Sequence, residues 1–221
     1  MSASYTSTSY SPDNLIAGGE TLSRAITLLS GQNLTRGAVL GRISVGSATS
    51  AAKAGGNTGN GTLTMDVATP VRNGAKVGVY QVRFTVAAAN NGTFIVRDPD
   101  GNQIGTVVMA GGTGAFDDDI RFAIADGASD FIVGDGFDIT VAAGSGKYVL
   151  SVAAATDGSQ VPDLILAEAT NASAGDVATV AYYQGQFLQS ALTLGAGHTA
   201  DSVREGLRVK GIQLINSTAI A

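Results

Sequence analysis

The chain has no cysteine and no tryptophan, and only one histidine and four prolines among its 221 residues. Without cysteine, disulfides and thiolate metal sites are excluded, which suits assembly in a reducing cytoplasm. The single His198 leaves triads and the usual zinc sites without the partners they need. Charge is scarce: Asp, Glu, Lys and Arg make up 14% of the chain, against roughly 25% in ordinary soluble proteins. No basic run exists, and the net charge is −5. Affinity for phosphate backbones comes from clustered Lys and Arg, so no nucleic-acid partner is expected. No apolar run approaches the ~18 residues that cross a bilayer. The opening MSASYTSTSY has neither the basic nor the apolar region of a signal peptide. No membrane partner is expected either.

What is abundant is glycine, at 30 residues, with Ala, Thr, Ser and Val filling much of the rest. That is the vocabulary of short strands and tight turns. Residues 1–14 are polar and Ser/Thr/Tyr-rich, with too little apolar surface to offset ordering. They read as a flexible arm, with Leu15 and Ile16 the apolar hinge to the body. Residues 25–29 and 38–43 read as strands, with a turn at 30–33 and a loop at 33–37 carrying one buried leucine. Two Gly/Ser/Ala-rich linkers follow, at 46–61 and 142–147. Between them lies a patterned block with strand candidates at 62–67, 78–87, 93–97, 103–108, 120–125 and 137–141. Two linkers flanking such a block mark a domain inserted in a loop, and six short strands suggest a small sandwich. In it, Tyr80, Val82, Phe84 and Val86 are expected on one face. Asn90-Asn91-Gly92 and Asp98-Pro99-Asp100-Gly101-Asn102 are turn signals. Residues 59–146 hold ten acidic and five basic residues, a balance of −5, and the remainder holds eight of each. An acidic insert suits a solvated lobe, and a neutral body suits subunit packing.

After the block, residues 148–154 and 164–168 read as strands, and 176–184 with 186–194 as a hairpin across Gly185. The one convincing helix is expected over 199–210. Thr199 can cap it, Val203 and Leu207 share a face, and Gly211 ends it.

No motif carries chemistry. Gly195-Ala196-Gly197-His198-Thr199-Ala200 has the local form of a dinucleotide turn, but neither a second parallel strand nor a ribose-binding acid follows. Gly144-Ser145-Gly146-Lys147 lacks the first glycine and the metal-binding hydroxyl of a phosphate loop. Asp98, Asp100 and Asn102 start like a calcium loop, yet Gln103 stands where glycine belongs and Met109 where the bidentate Glu belongs. Asp117-Asp118-Asp119 reads as a solvated charge run. Five Asn-x-Ser/Thr sequons are chance products of the composition. No paired acid, base or metal cluster supports an enzyme, and no cofactor is implied.

Several phrases carry a resemblance. Among them are Leu15-Ile16-Ala17-Gly18, residues 30–41 (SGQNLTRGAVLG), residues 154–160 (AATDGSQ), Ile165-Leu166-Ala167-Glu168, Gly185-Gln186-Phe187 and the stretch 192–211. In order and spacing they resemble the lambda-like bacteriophage head decoration proteins over about 130 residues in two parts. Residues 59–63, 78–80, 98–101, 122–127 and 131–135 are similar to a β domain that some of these proteins carry in a loop.

The resemblance implies a mainly β fold: a small β-barrel or β-tulip-like body with one short C-terminal helix, plus an inserted β-sandwich. It divides the chain into a capsid-binding arm (1–17), a discontinuous body (18–58 and 147–221) and an acidic insert (59–146). It implies a homotrimer bound to the major capsid protein on the outer surface of the expanded head, stabilising it against DNA pressure, in a virion assembled in the host cytoplasm. Ser11, Pro12, Asp13, Asn14, Leu15, Ile16 and Ala17 are the implied capsid-binding residues. The rival reading is a binding module in which the insert recognises host glycans or another ligand. Exposed aromatic side chains on the insert would favour it.

Overall fold

Turn glycines and asparagines cut the chain into short extended runs. The computed structural model, which describes residues 14–216, is accordingly mainly β, with several sheets and one short α-helix near the C-terminus. In chain order the strands are β1 (Ile16–Leu28), β2 (Gln32–Leu34), β3 (Val39–Arg42), β4 (Val45–Ala52), β5 (Thr62–Met65), β6 (Gly78–Ala88), β7 (Asn91–Arg97) and β8 (Gln103–Met109). They continue as β9 (Thr113–Asp117), β10 (Arg121–Ala125), β11 (Gly136–Ala143), β12 (Tyr148–Leu150), β13 (Pro162–Leu166), β14 (Thr170–Ala172), β15 (Val177–Leu188) and β16 (Ile212–Ile215), and helix α1 spans Ala200–Val209. The chain divides into two compact units, one made of residues up to Leu40 together with those from Pro162 on, the other Gly41–Val161.

In the first unit β15 is the central strand. It pairs antiparallel with β1 from Ile16↔Phe187 to Leu28↔Val177, antiparallel with β13 at Ile165↔Tyr182, and parallel with β16 from Gly185↔Ile212 to Leu188↔Ile215. The expected hairpin across Gly185 is corrected here: the chain runs straight through as one strand. Thr179, Ala181, Gly185 and Phe187 are buried, and among the odd positions between them only Tyr183 is exposed, so the inward parity is the same on both sides of Gly185. Gly185 adopts φ +148°, and a Cβ there would meet the Phe187 ring and Thr21 at 2.9 Å. Only glycine passes this point without strain.

Helix α1 forms as its caps predict. Thr199 accepts from Ser202 N while the Ser202 hydroxyl accepts from Thr199 N, a reciprocal capping box. Val203 and Leu207, one turn apart, are its buried residues. They join Leu15, Val39, Ile165, Phe187, Ile212 and Leu214 in one apolar core. Gly211, at φ +91°, ends the helix, and Lys210 Nζ donates to Pro162 O and Asp163 Oδ1, both at 2.8 Å. The stretch 33–37 is partly a strand: β2 pairs with β14, and Leu34 is half-buried rather than buried.

In Gly41–Val161, a five-stranded sheet (order β4-β11-β6-β7-β8) and a three-stranded sheet (β5-β10-β9) share one apolar core. Aromatic rings from both sheets fill it, with Phe94 beside Phe122 at 6.1 Å and Phe84 stacked on Phe131 at 4.4 Å. Two expectations change. Residues 46–52, the first part of the stretch read as linker, lie in strand β4, paired with β11 from Ala52↔Phe137 to Val45↔Ala143. Its Ser, Ala and Thr side chains carry no apolar alternation, and what holds it is the backbone ladder, with Val45 and Ala48 against the core. Similarly, Tyr80, Val82 and Phe84 are buried as alternation demands, but Val86 is exposed. The register shifts between Phe84 and Val86, and this bulge turns Val86 to the opposite face.

Candidate functional site

The described chain enters and leaves the first unit at the same end of one sheet. Leu15 is buried in the core, and its carbonyl accepts from Leu188 N at 2.9 Å. Ile16 then lies opposite Phe187 on one side of β15, while Leu214 lies opposite the same Phe187 on the other side. Next along, Leu188 pairs with Ile215. The root of the N-terminal segment and the end of β16 are therefore two strand spacings apart, roughly 10 Å.

Arg204 organises this end. Its Nη1 donates to Leu214 O at 2.8 Å and its Nη2 to Gln189 Oε1 at 2.6 Å, tying α1 to β16 and to the 3-10 turn Gln189–Ala191. Beside it is an open pocket of ≈ 250 Å³, lined by Arg204, Arg208, Gln213, Leu214 and Ile215. Arg208 is held by Glu205 at 2.8 Å.

Of the sequence-expected capsid-binding residues, Ser11, Pro12 and Asp13 lie outside the described residues. Asn14 is exposed, Leu15 is buried in this chain's own core, Ile16 is half-buried at the start of β1, and Ala17 is exposed within that strand. The structure brings Leu15 and Ile16 together with Phe187 and Leu188. Sequence reading missed Arg204, Gln189 and Ile215 as neighbours of this end. Their only signal was the amphipathic helix, which says which face is buried but not which strand receives it.

The acidic motifs resolve as structural ties. Asp98 is buried, and its carboxylate accepts from Lys76 Nζ (2.6 Å), Asn102 N (2.8 Å), Asp100 N (3.0 Å) and Asn102 Nδ2 (3.2 Å). Lys76 Nζ also reaches Asp100 Oδ2 at 2.6 Å, so an ammonium stands between the two carboxylates of the calcium-like turn. The Lys76 bond lowers the Asp98 pKa to about 2, against the opposing effect of burial, and the two aspartates raise that of Lys76. Asp117 takes a bidentate pair from Arg72 at 2.7 and 2.8 Å. Burial, and then the neighbouring Asp118, raise the pKa of Asp119, which lies 3.4 Å from the Tyr80 hydroxyl. Burial also tends to raise Asp135, but bonds from Gly59, Thr58 and Ile132 N–H outweigh it and leave the group low. His198 lies in a turn, its N–H bonded to Gly195 O at 3.1 Å, directly before the helix cap. Among the described residues no three His, Asp or Glu side chains gather as a metal set. No helix among them is long and apolar enough to cross a membrane. Every aromatic side chain of Gly41–Val161 is buried, from Tyr80 and Phe84 to Phe137 and Tyr148, so this unit offers no ring on which a sugar could stack.

A family model described as Bacteriophage lambda head decoration protein D matches residues 4–209. The chain belongs to that family. It is thus a phage head decoration protein, a structural component of the virion and not a member of an enzyme family. No curated protein matches the chain. Two solved structures of FlgL from Xanthomonas campestris, in space groups H3 and C2, align at 28% and 30% identity. Each alignment covers 49% of this chain and 33% of that one, with a TM-score of 0.32, too low to carry a structural argument. For a head decoration protein the relevant geometry is a binding surface, and Leu15 and Ile215, on either side of β15, stand at the same end of the first unit.

Proposed function

We propose that this head decoration protein binds the outside of the expanded capsid as a homotrimer and stabilises it against the pressure of packaged DNA. Its capsid-binding arm is the segment ahead of Leu15, with Leu15, Ile16 and Ala17 as the root. The observation that carries this reading is the fixed root: Leu15 is locked into the core and hydrogen-bonded to Leu188, so the preceding residues start from a defined point. Their Thr and Tyr side chains suit extended backbone and strand addition to a sheet edge on the major capsid protein.

A single arm of this composition binds weakly, because ordering it offsets much of its contact energy. Three arms on one trimer raise the local concentration of the second and third once the first is docked, and avidity exceeds single-arm affinity by ~10² or more. A trimer whose arms fit only the expanded lattice stabilises that lattice by linkage. The net charge of −5 is repelled by DNA phosphates, which favours the outer surface.

The test is deletion of residues 2–14, which spares Leu15. The truncated protein should remain a folded trimer by light scattering and no longer sediment with expanded heads. A truncated protein that still pellets with them would remove the arm from the mechanism, and a monomeric full-length chain would remove the trimer.

A further inference from the structure

Asp126 follows β10 directly, and its N–H donates to Gly112 O at 2.8 Å, extending the ladder that pairs Ala125 with Thr113. Phe122 and Ile124 are buried while Ala123 and Ala125 are exposed, so the alternation turns Asp126 inward. Both of its carboxylate oxygens are buried, and neither has a hydrogen-bond partner among the described residues. The other side-chain atom in that condition among them, Gln160 Oε1, belongs to a neutral amide. A buried carboxylate with neither donor nor counter-charge is costly and calls for a partner. The chain supplies no counter-charge here. The loops around Asp126 are tied to one another: Gly112 N donates to Asn90 O (2.7 Å), Asn90 N to Asp130 Oδ1 (2.9 Å) and Ser129 N to Asn60 Oδ1 (2.9 Å). Neither lysine nor arginine occurs in 54–71, 84–96, 98–120 or 122–146, the stretches that hold these loops. Arg121, the nearest basic residue along the chain, lies at the other end of β10 beside Asp66 and Asp117. Lys53 donates to Gly56 O and acts on Asp135.

We propose that this end of the unit binds a calcium ion, with the Asp126 carboxylate as the anchoring ligand and carbonyl oxygens of the 89–92 and 110–113 turns, together with water, completing its shell. Oxygen is the donor these loops offer, since Gly41–Val161 contains neither cysteine nor histidine, and oxygen ligands select a hard cation. One carboxylate among carbonyls suits calcium, which accepts about six to eight oxygens in flexible geometry, better than magnesium, which demands a near-ideal octahedron. Asn90 O and Gly112 O each accept one backbone bond and keep a second lone pair. Asp130 brings a second negative charge to the same loops. The Asp98 turn differs, because Lys76 already stands between its carboxylates. With a single buried carboxylate the site is weak, with a Kd of ~1 mM. This inference goes beyond the capsid reading and does not depend on it.

The test is chemical denaturation of the full-length protein at constant ionic strength, with EDTA or with calcium chloride. Calcium at ~10 mM should raise the folding equilibrium constant ~10-fold, and magnesium at the same concentration should do much less. Asp126→Asn keeps the shape of the side chain, removes its charge and should abolish the calcium effect. Asp100→Asn, in the lysine-bridged turn, should retain it. NMR of the parent protein covers the case in which Asp126→Asn does not fold: calcium should shift the amide signals of Gly112 and Gly127 saturably and leave that of Asp100 in place. The proposal is overturned if calcium moves neither the stability nor these amides, if magnesium matches it, if Asp126→Asn responds as the parent does, or if Asp100→Asn abolishes the response. Capsid binding enters none of these readouts, so their failure would leave the decoration mechanism untouched.

Discussion

Arg204 reaches from helix α1 to the carbonyl oxygen of Leu214, on the strand that follows that helix, at 2.8 Å, and its other terminal nitrogen reaches Gln189 at 2.6 Å. One side chain thus fastens three elements at the end where the chain enters and leaves its first unit. Arg204→Ala should cost about 1–3 kcal/mol in chemical denaturation, because two bonds to a cationic donor are lost and a strand carbonyl loses its partner. Arg204→Lys should recover little, since an ammonium cannot span both acceptors as the planar fork does. Equal stability of the lysine variant and the parent would show that the geometry of the fork is irrelevant.

Gly185 sets a second expectation. Gly185→Ala adds a Cβ 2.9 Å from the Phe187 ring at a backbone angle of +148°. Neither the strand nor the ring, which sits at the centre of the core, can yield cheaply. A loss of more than about 2 kcal/mol is expected, with hydrogen exchange accelerated at Gln186 and Gln213. A thermal midpoint unchanged from the parent would contradict the strand-through geometry.

The Asp98 turn gives a pH dependence with a defined sign. The folded carboxyl is held to about 2, below the ordinary value of about 3.9. Its stabilising contribution is therefore complete above about pH 4 and is lost as pH falls towards 2. Lys76→Met should remove the main cause, so that the Asp98 carboxyl signal, followed by NMR, titrates closer to the ordinary range. A signal that still titrates near 2 in that variant would assign the depression to the Asn102 bonds instead.

The apolar alternation of residues 80–84 and the capped helix at Thr199 were legible because their patterns are local. β4 was not, since Ser, Ala and Thr at 47–51 carry no apolar period and the strand exists only through its partner β11. Val86 followed the alternation in sequence and faced the other way in space, because a bulge is a property of two strands together. Gly185 read as a turn for the opposite reason: glycine marks both turns and the places where a long strand needs unusual angles. At the candidate site, Leu15 reads in sequence as an apolar hinge. That it belongs to this chain's core became visible only once Phe187, Val203 and Leu207 were brought around it.

The long pairing of β1 with β15 has a mechanical side. A pull on the residues ahead of Leu15 runs along the ladder that extends from Ile16↔Phe187 to Leu28↔Val177. Its bonds are loaded together in shear, as in a lap joint, and do not open one after another from an end. A tether anchored in this way passes tension into the body chiefly through the regular run from Ser23↔Tyr182 to Leu28↔Val177, whereas the four-residue β16, on the other side of β15, has less overlap to share the load.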